Sequence, residues 1–270
     1  MRGTVQAWMV RGLAALGVAA VVWLAYPSLR GAVLEIEVTR AARGYALAGE
    51  LGCFACHGPA GNGGVKNPGS REGEVPAFVE QTQMMYVTSA AELREYVLDG
   101  MPARRRDDPA YRAEIEAAML HMPAYRPFLT PQQVDDLVAY LRATSGQILP
   151  GRGEPKAFRG AELAIEYECF TCHGPLGAGG MANPGSFKGY VPSFWGRDFD
   201  DLVRGDVELR AWLADGKIAR ISEHPIGGWF FRRQALKMPA YGSRLAPEEI
   251  DALVAYVRWI RSGPWRDELR

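Results

Sequence analysis

Two copies of one short motif contain all four cysteines of the chain. The first copy is Cys53, Cys56 and His57, and the second, 116 positions later, is Cys169, Cys172 and His173. Cysteines three residues apart on a helical turn face the same side, so both thiols can reach the two vinyl groups of one porphyrin. The residue that follows can place its imidazole beneath the iron as the proximal ligand. The motif therefore predicts two covalently bound haem c groups.

Paired cysteines also suit a structural zinc half-site, a redox-active dithiol or disulfides. Zinc requires a second pair of Cys or His near each motif, and only His121 and His224 remain in the chain. A thioredoxin-like dithiol follows a strand and does not need the histidine. The duplicated histidine, with a matched methionine downstream of each copy, favours haem.

One methionine lies at the same distance from each motif and is the expected sixth iron ligand. Met122 follows His57 by 65 residues, and Met238 follows His173 by 65 residues, each within Met-Pro-Ala-Tyr. A thioether is a soft ligand that suits haem iron. The sequence therefore predicts the axial pairs His57–Met122 and His173–Met238, with core packing as the alternative role of the methionines.

Two neighbouring residues are weaker candidate ligands. Met101 also precedes a Pro-Ala pair, but its matched position in the second copy is Lys217. His121 adjoins the predicted ligand and is an alternative one, but Lys237 replaces it in the second copy. We interpret His121 as a surface histidine.

The repeat extends far beyond the motifs. Asn-Pro-Gly-Ser begins at Asn67 and at Asn183, and Leu-Val-Ala-Tyr begins at Leu137 and at Leu253, with the same offset of 116. This pattern predicts two tandem domains, each able to close its own core. Their expected bounds are 39–146 and 155–270, with a linker at 147–154 and an anchor with a short tether at 1–38.

Helical signals are present in both units. Thr130, followed by Pro131 and Gln133, is typical of a capped helix start, and apolar residues then recur at helical spacing. A second helix is predicted from Ser89 to Leu98, with Gly100 as its stop. Since no segment alternates as a strand does, the expected fold class is all-α.

The amino-terminal segment reads as a transmembrane anchor. Eighteen residues, 12–29, contain no charged side chain and would span about 27 Å as a helix, close to the ~30 Å hydrocarbon core. Basic residues precede the span and acidic residues follow it, which predicts a cytoplasmic amino end and exported domains. A cleaved signal peptide is the alternative, and no clear cleavage site follows the apolar run.

Composition excludes several classes of protein. The 270 residues carry 31 basic and 31 acidic side chains, and a net charge of zero argues against nucleic-acid binding. A hydrophobic fraction of 48% excludes wholesale disorder. The run Arg104-Arg105-Arg106 is interpreted as a solvated loop, with docking as the alternative. Core packing is the expected role of a set of aromatic residues that could instead line a haem edge or a partner surface: Trp195, Trp229, Phe230 and Phe231.

From Thr39 to Ser262 the chain resembles class I c-type cytochromes, in the membrane-anchored dihaem form. The motif residues and the matched methionines carry this resemblance. It implies two all-α domains, each of which wraps one haem in a crossed pair of terminal helices. Gly44 with Tyr140, and Gly160 with Tyr256, look like that family's close helix crossing. The stretch between histidine and methionine is longer than in a minimal member.

The predicted ligation indicates the function. An iron with both axial positions filled has no vacant site for substrate, so one-electron transfer is the remaining chemistry. We therefore expect an electron-transfer protein and not an enzyme. Its place is the outer face of the cytoplasmic membrane, as an anchored carrier or as a subunit of a respiratory or photosynthetic complex. The alternative is a dihaem redox enzyme, of the peroxidase or sulfur-compound oxidase type, with one labile distal ligand.

Overall fold

The computed structural model describes residues 8, 9, 11–22, 38–79, 83, 85–146 and 148–269. The chain divides into two compact units, Met1–Glu37 and Val38–Arg270. In the first unit, residues 11–22 form a helix. Among the described residues, no helix has the length and apolar character needed to cross a membrane. The predicted span of residues 12–29 lies partly outside the described residues.

The second unit contains two repeats, and each is built from helices joined by turns and loops. Its first half contains α1 (Arg40–Glu50), α2 (Cys53–His57), α3 (Ala90–Asp99), α4 (Ala103–Arg106), α5 (Pro109–Ala117) and α6 (Pro131–Thr144). Its second half contains α7 (Pro155–Glu166), α8 (Cys169–His173), α9 (Arg197–Leu202), α10 (Asp206–Asp215), α11 (Ala219–Ser222), α12 (Pro225–Arg233), α13 (Pro247–Ser262) and α14 (Arg266–Leu269). Extended pairing within the described ranges is limited to two isolated bridges, Lys66–Glu74 and Ala182–Tyr190. The all-α prediction is confirmed.

Local signals set the helix ends where the sequence places them. Thr130 and Gln133 form a reciprocal capping box at the start of α6. The Ser89 side chain accepts a hydrogen bond from the backbone N–H of Glu92 at the start of α3. Gly100 ends α3 in the left-handed conformation, with φ of 74°. These contacts satisfy backbone groups that a helix end otherwise leaves unpaired.

The first and last long helices of each half cross at a glycine. A Cβ on Gly44 would lie 2.8 Å from the Cβ of Tyr140 and nearer still to the backbone of Asp136. A Cβ on Gly160 would lie 2.7 Å from the Cβ of Tyr256. Since only glycine permits this approach, α1 packs on α6 and α7 packs on α13. The expected helix crossing is confirmed in both halves.

The core of the second half continues into the first half. One cluster of buried side chains joins Ala41 and Ala139 of the first half, and Ile148 of the linker, to residues of α7 and α13. The hydroxyl of Thr39 donates to the carbonyl of Ala178 across this boundary at 2.9 Å. Leu269 in α14 is fully buried in the same cluster. The halves therefore share a core, whereas the sequence suggests that each closes its own.

Candidate functional site

Each motif forms a five-residue helix that begins and ends at a turn. Gly52 precedes α2 with φ of 77°, and Gly58 follows it with φ of 75°. A Cβ on Gly58 would collide with the carbonyl of Gly63, so glycine is required there. In the second half Glu168 takes the left-handed conformation, with φ of 51°. These turns isolate one helical turn that carries both cysteines and the histidine.

A cavity of about 390 Å³ opens beside the first motif. Cys53, Cys56, His57 and Met122 all line it, although Met122 is 65 residues from the motif. Most of the remaining wall is apolar and includes Leu51, Val75, Phe78, Val97, Leu137 and Tyr140. This volume falls in the range of small-molecule and cofactor sites. The structure thus brings together the two predicted attachment cysteines and the two predicted iron ligands of the first half.

A backbone carbonyl orients the first histidine. Nδ1 of His57 lies 2.7 Å from the carbonyl oxygen of Pro76, so Nδ1–H is the donor and the Nε2 lone pair is available to a metal. Burial lowers the pKa of His57 below its ordinary value, although the Pro76 carbonyl opposes that shift. The imidazole is therefore neutral, as a metal ligand must be. Phe78 packs against its ring at 5.0 Å.

The surroundings of the matched histidine differ in the second half. Cys169 and Met238 both pack against the buried cluster of that half, and the ring of His173 lies 4.9 Å from Phe194. Nδ1 of His173 is buried and has no hydrogen-bond partner in the described part of the chain. Burial lowers the pKa of His173 to about 4, so this imidazole is also neutral.

The end of a helix positions each methionine segment. The backbone N–H of Tyr125 donates to the carbonyl of Val97 at 3.2 Å, and that of Tyr241 donates to Leu213 at 3.0 Å. A side chain on Gly100 would collide with the carbonyl of Met122. Gly216 stands in the same relation to Met238. Each methionine is therefore presented from an extended segment that is docked on the end of α3 or α10.

Two asparagines fix the other end of these segments. Nδ2 of Asn67 donates to the carbonyl of Leu120 at 3.0 Å, and its Oδ1 accepts from the N–H of Leu120 at 2.7 Å. Asn183 makes the same pair of bonds with Leu236, at 3.0 and 2.8 Å. Sequence reasoning used both asparagines only to establish the repeat. Their recurrence as polar residues in a loop, 53 residues before their partner, is the signal that could have found this role.

The thiol environment differs from that of a redox-active dithiol. Burial raises the pKa of Cys53, and it raises that of Cys169 to about 11, with a smaller contribution from Cys172. Reactive dithiols have lowered pKa values. Within the described ranges, no group of three His, Cys, Asp or Glu residues converges on a metal position. Paired thiols beside a neutral imidazole, a thioether and an apolar wall fit a covalently attached haem.

His121, His224 and Arg104 are not among the predicted haem-binding residues, and each makes a structural contact. His121 is exposed, and its Nε2 lies 3.0 Å from the carbonyl of Ala118. His224 caps α12 by accepting from the N–H of Gly227. Arg104 pairs with Glu92 at 2.7 Å, so the arginine run takes part in an ion pair instead of being only solvated.

The remaining candidates divide between cavity, core and surface. Met101, the weaker methionine, also lines the first cavity. Trp195 is 1% exposed and lies in the shared core, as expected for core packing. Trp229 is 48% exposed, so core packing was the wrong expectation for that residue.

Two tandem helical halves define a c-type cytochrome with two haem sites, since each half has paired thiols, an imidazole and a thioether. The chain belongs to the cytochrome c family, whose model matches it twice, at residues 41–145 and 157–261. The two matches support two covalently bound c-type haems, one in each half.

The chain is also similar to the Cbb3-type cytochrome c oxidase subunit FixP of Azorhizobium caulinodans. The two are 25% identical over 211 residues, which is 78% of this chain and 57% of the relative. The chain thus matches a little over half the length of that relative. No solved structure matches the chain.

Proposed function

We propose that this cytochrome relays single electrons on the outer face of the cytoplasmic membrane, as an anchored carrier or as a subunit of a respiratory or photosynthetic complex. The convergence of two thiols, one imidazole and one thioether on the first cavity is the observation that carries this proposal. A haem c held there supplies reversible one-electron exchange at its iron. Cys53, Cys56, His57 and Met122 would hold the group in that cavity.

Eight residues hold the two groups. Cys53 and Cys56 form the thioethers of the first haem, with His57 and Met122 as its axial ligands. In the second half the thioethers are formed by Cys169 and Cys172, and the axial ligands are His173 and Met238. The common offset of 116 and the matched docking of both methionine segments support this assignment. The proposed domains are residues 39–146 and 155–270, and residues 147–154 form the linker between them.

The filled axial positions favour an electron carrier over an enzyme. A peroxidase or sulfur-compound oxidase needs one iron with a labile distal ligand. Asn67 and the end of α3 fix the Met122 segment at two points, and Asn183 and α10 fix the Met238 segment in the same way. Two matched clamps leave neither methionine loosely held.

The membrane placement rests on sequence and on the relative. The uncharged run at 12–29 is long enough for a single span, and basic residues on its amino side predict a cytoplasmic amino end. The domains would then be periplasmic. Similarity to a cbb3-type oxidase subunit supports a place in a membrane electron-transfer complex.

A redox titration of the detergent-extracted protein tests the function. Two electrons per chain should be taken up reversibly, with the absorbance changes of low-spin haem c at both sites. Turnover of hydrogen peroxide or sulfite at enzyme-like rates would instead support the alternative. Alkaline protease treatment of sealed inside-out and right-side-out vesicles tests the orientation, since only right-side-out vesicles should lose their haem domains.

A further inference from the structure

An exposed group of apolar side chains lies on α12 and the loop facing it. We call Phe187, Ile226, Trp229 and Phe230 the aromatic patch. Ile226 is 62% exposed, Trp229 is 48% exposed and Phe187 is 44% exposed. The Phe230 ring contacts Trp229 at 4.7 Å and Phe187 at 5.1 Å, both edge to face. Large apolar side chains grouped in this way on a surface mark interaction sites more often than single ones do.

The repeat places the patch at the opening of the second haem crevice. In the first half Arg71 and Glu114 line the cavity that holds the ligands. Their matched positions, at the offset of 116, are Phe187 and Phe230. Two patch residues therefore occupy positions that, in the first half, lie at the wall of the ligand cavity.

The first half has no such patch at the matched positions. There, the four residues that correspond to the patch are Arg71, Ala110, Ala113 and Glu114. Because the ligand framework is the same in both halves, haem binding does not require large apolar groups here. Packing does not account for them either, since three of the four are more than two-fifths exposed.

Two arginines lie on the same helix as most of the patch. Arg232 and Arg233 are exposed, and neither has a carboxylate within 4.0 Å in the portion of the chain that the structure describes. Arg233 lies instead over the Trp229 ring at 4.7 Å. Most other arginines of the second half are in ion pairs, such as Arg210 with Asp251. The matched residues of the first half are Glu116 and Ala117.

We infer that the aromatic patch and its two arginines form the docking surface for a redox protein whose own contact face has an apolar centre and a carboxylate rim. The inference rests on the proposed function, and it assigns electron exchange with that partner to the second haem. Apolar contact and unpaired cations together fit such a face, because Trp and Arg dominate interface energetics and charge guides the encounter. A lipid surface would satisfy both features but has no redox group to meet the crevice.

A mixed monolayer of carboxylate- and methyl-terminated alkanethiols on gold reproduces the chemistry of this partner face. Full-length protein in detergent is applied, and the electron-exchange rate of each haem is measured by voltammetry. The double variant Arg232→Glu, Arg233→Glu should slow exchange at the second haem by about tenfold or more at low salt, with a smaller effect at high salt. Trp229→Ser should slow exchange at every salt concentration.

Ala113→Ser and Glu116→Gln in the first half are the matched controls and should leave the rate unchanged. Equal rates in all variants, or equal losses in patch and control variants, would overturn the docking surface. Both haems should retain their spectra and two-electron titration in every variant. If they do while the rates fail to respond, only the docking inference is wrong, whereas loss of reversible redox chemistry in the unmodified protein would overturn the proposed function.

Reconstitution into vesicles of brominated phosphatidylcholine tests the lipid alternative. The fluorescence of Trp229 is obtained by subtracting the emission spectrum of the Trp229→Phe variant from that of the unmodified protein. No quenching of that difference signal is expected if a protein partner occupies the patch. Strong quenching would place Trp229 in the bilayer and overturn the inference.

Discussion

The two haem-binding halves have the same ligand framework and different crevice openings. In both, a glycine crossing brings the long helices together, and an asparagine fixes the methionine segment. At the opening, Arg71 and Glu114 in the first half are replaced by Phe187 and Phe230 in the second. The residues proposed to attach and ligate the haem are therefore repeated, whereas these two neighbouring positions are not.

The halves also differ in the hydrogen bonding of the motif histidine and in the charged residues nearby. His57 donates to Pro76, whereas Nδ1 of His173 has no partner within the described residues. Asp198, buried in the second half, pairs with Lys188 and accepts from the Tyr190 hydroxyl. The first half has Glu72 and Glu74 where the second has Lys188 and Tyr190. The duplicated sites thus differ in the groups that set an iron potential.

Loss of a cysteine pair should produce the largest effect. Cys169→Ser with Cys172→Ser should reduce covalently bound haem from two per chain to one. It should also destabilise both halves, because the core around the second site includes Ala41 and Ala139 of the first. Haem absorbance per chain and urea unfolding measure these effects. The variant Cys53→Ser, Cys56→Ser is the comparison. An equal loss of stability from both cysteine pairs would contradict a shared core that lies mainly around the second site.

Closing the helix crossing should be the next largest effect. Gly44→Ala or Gly160→Ala forces α1 from α6, or α7 from α13, and should cost about 1–3 kcal/mol or more of unfolding free energy. Gly151→Ala is the control, because its Cβ would meet nothing within 4 Å. Urea unfolding is the measurement, and stability equal to that of the control would remove the crossing as a requirement.

Removing an asparagine clamp should have a moderate effect. Asn67→Ala or Asn183→Ala leaves the N–H and carbonyl of Leu120 or Leu236 unpaired, at a cost of about 1–3 kcal/mol. The methionine segment should loosen, so carbon monoxide should bind the reduced variant more readily at that haem. The exposed Asn62→Ala serves as control. Carbon monoxide binding that matches the control would limit the clamp to stability alone.

The two haem potentials should differ, with the first haem lower. The Pro76 carbonyl increases the basicity of His57, and the carboxylates of Glu72 and Glu74 line the same cavity. Both effects favour ferric iron. We expect a separation of about 59 mV, a tenfold ratio for one electron. Titration of the Glu72→Gln, Glu74→Gln variant should raise the lower potential only, and a shift of the higher one would reverse the assignment.

Acid sensitivity should be the smallest effect, and it should be equal in the two halves. The Arg104 guanidinium lowers the pKa of Glu92 to about 2, and Arg220 does the same for Glu208. Because the folded-state pKa is depressed, this stabilisation is present above the ordinary value of 4.5 and is lost as pH falls towards 2.

Arg104→Met and Arg220→Met should therefore be slightly less stable than the unmodified chain at pH 7, and the difference should shrink as pH falls and vanish below pH 2. Unfolding across this pH range measures the difference. Arg112→Met, which removes an exposed arginine without an ion-pair partner in the described part of the chain, should show no such trend. A difference that stays constant from pH 7 to pH 2 would exclude the ion pairs as its cause.

The sequence alone predicts much of this architecture. The capping box at Thr130, the stop at Gly100 and the crossings at Gly44 and Gly160 are local or repeated signals, and all are confirmed. The core shared between the halves could not be predicted, because it depends on how Leu269 packs against distant helices.

The site could be predicted in part for a similar reason. Motif and offset identify candidate ligands, since haem attachment imposes its own spacing. The contact of His57 with a backbone carbonyl has no residue-type signal. The exposure of Trp229 has no residue-type signal either, because an aromatic residue at helical spacing gives the same sequence pattern in a core and on a surface.

Carbon monoxide binding to the fully reduced protein tests most directly whether each half holds its iron between a histidine and a methionine. The unmodified chain should bind almost none at neutral pH. Met122→Ala and Met238→Ala should each bind one equivalent, at different haems, with a lower potential at the affected site. Ready binding to the unmodified chain, or Met→Ala spectra identical to it, would contradict that ligation.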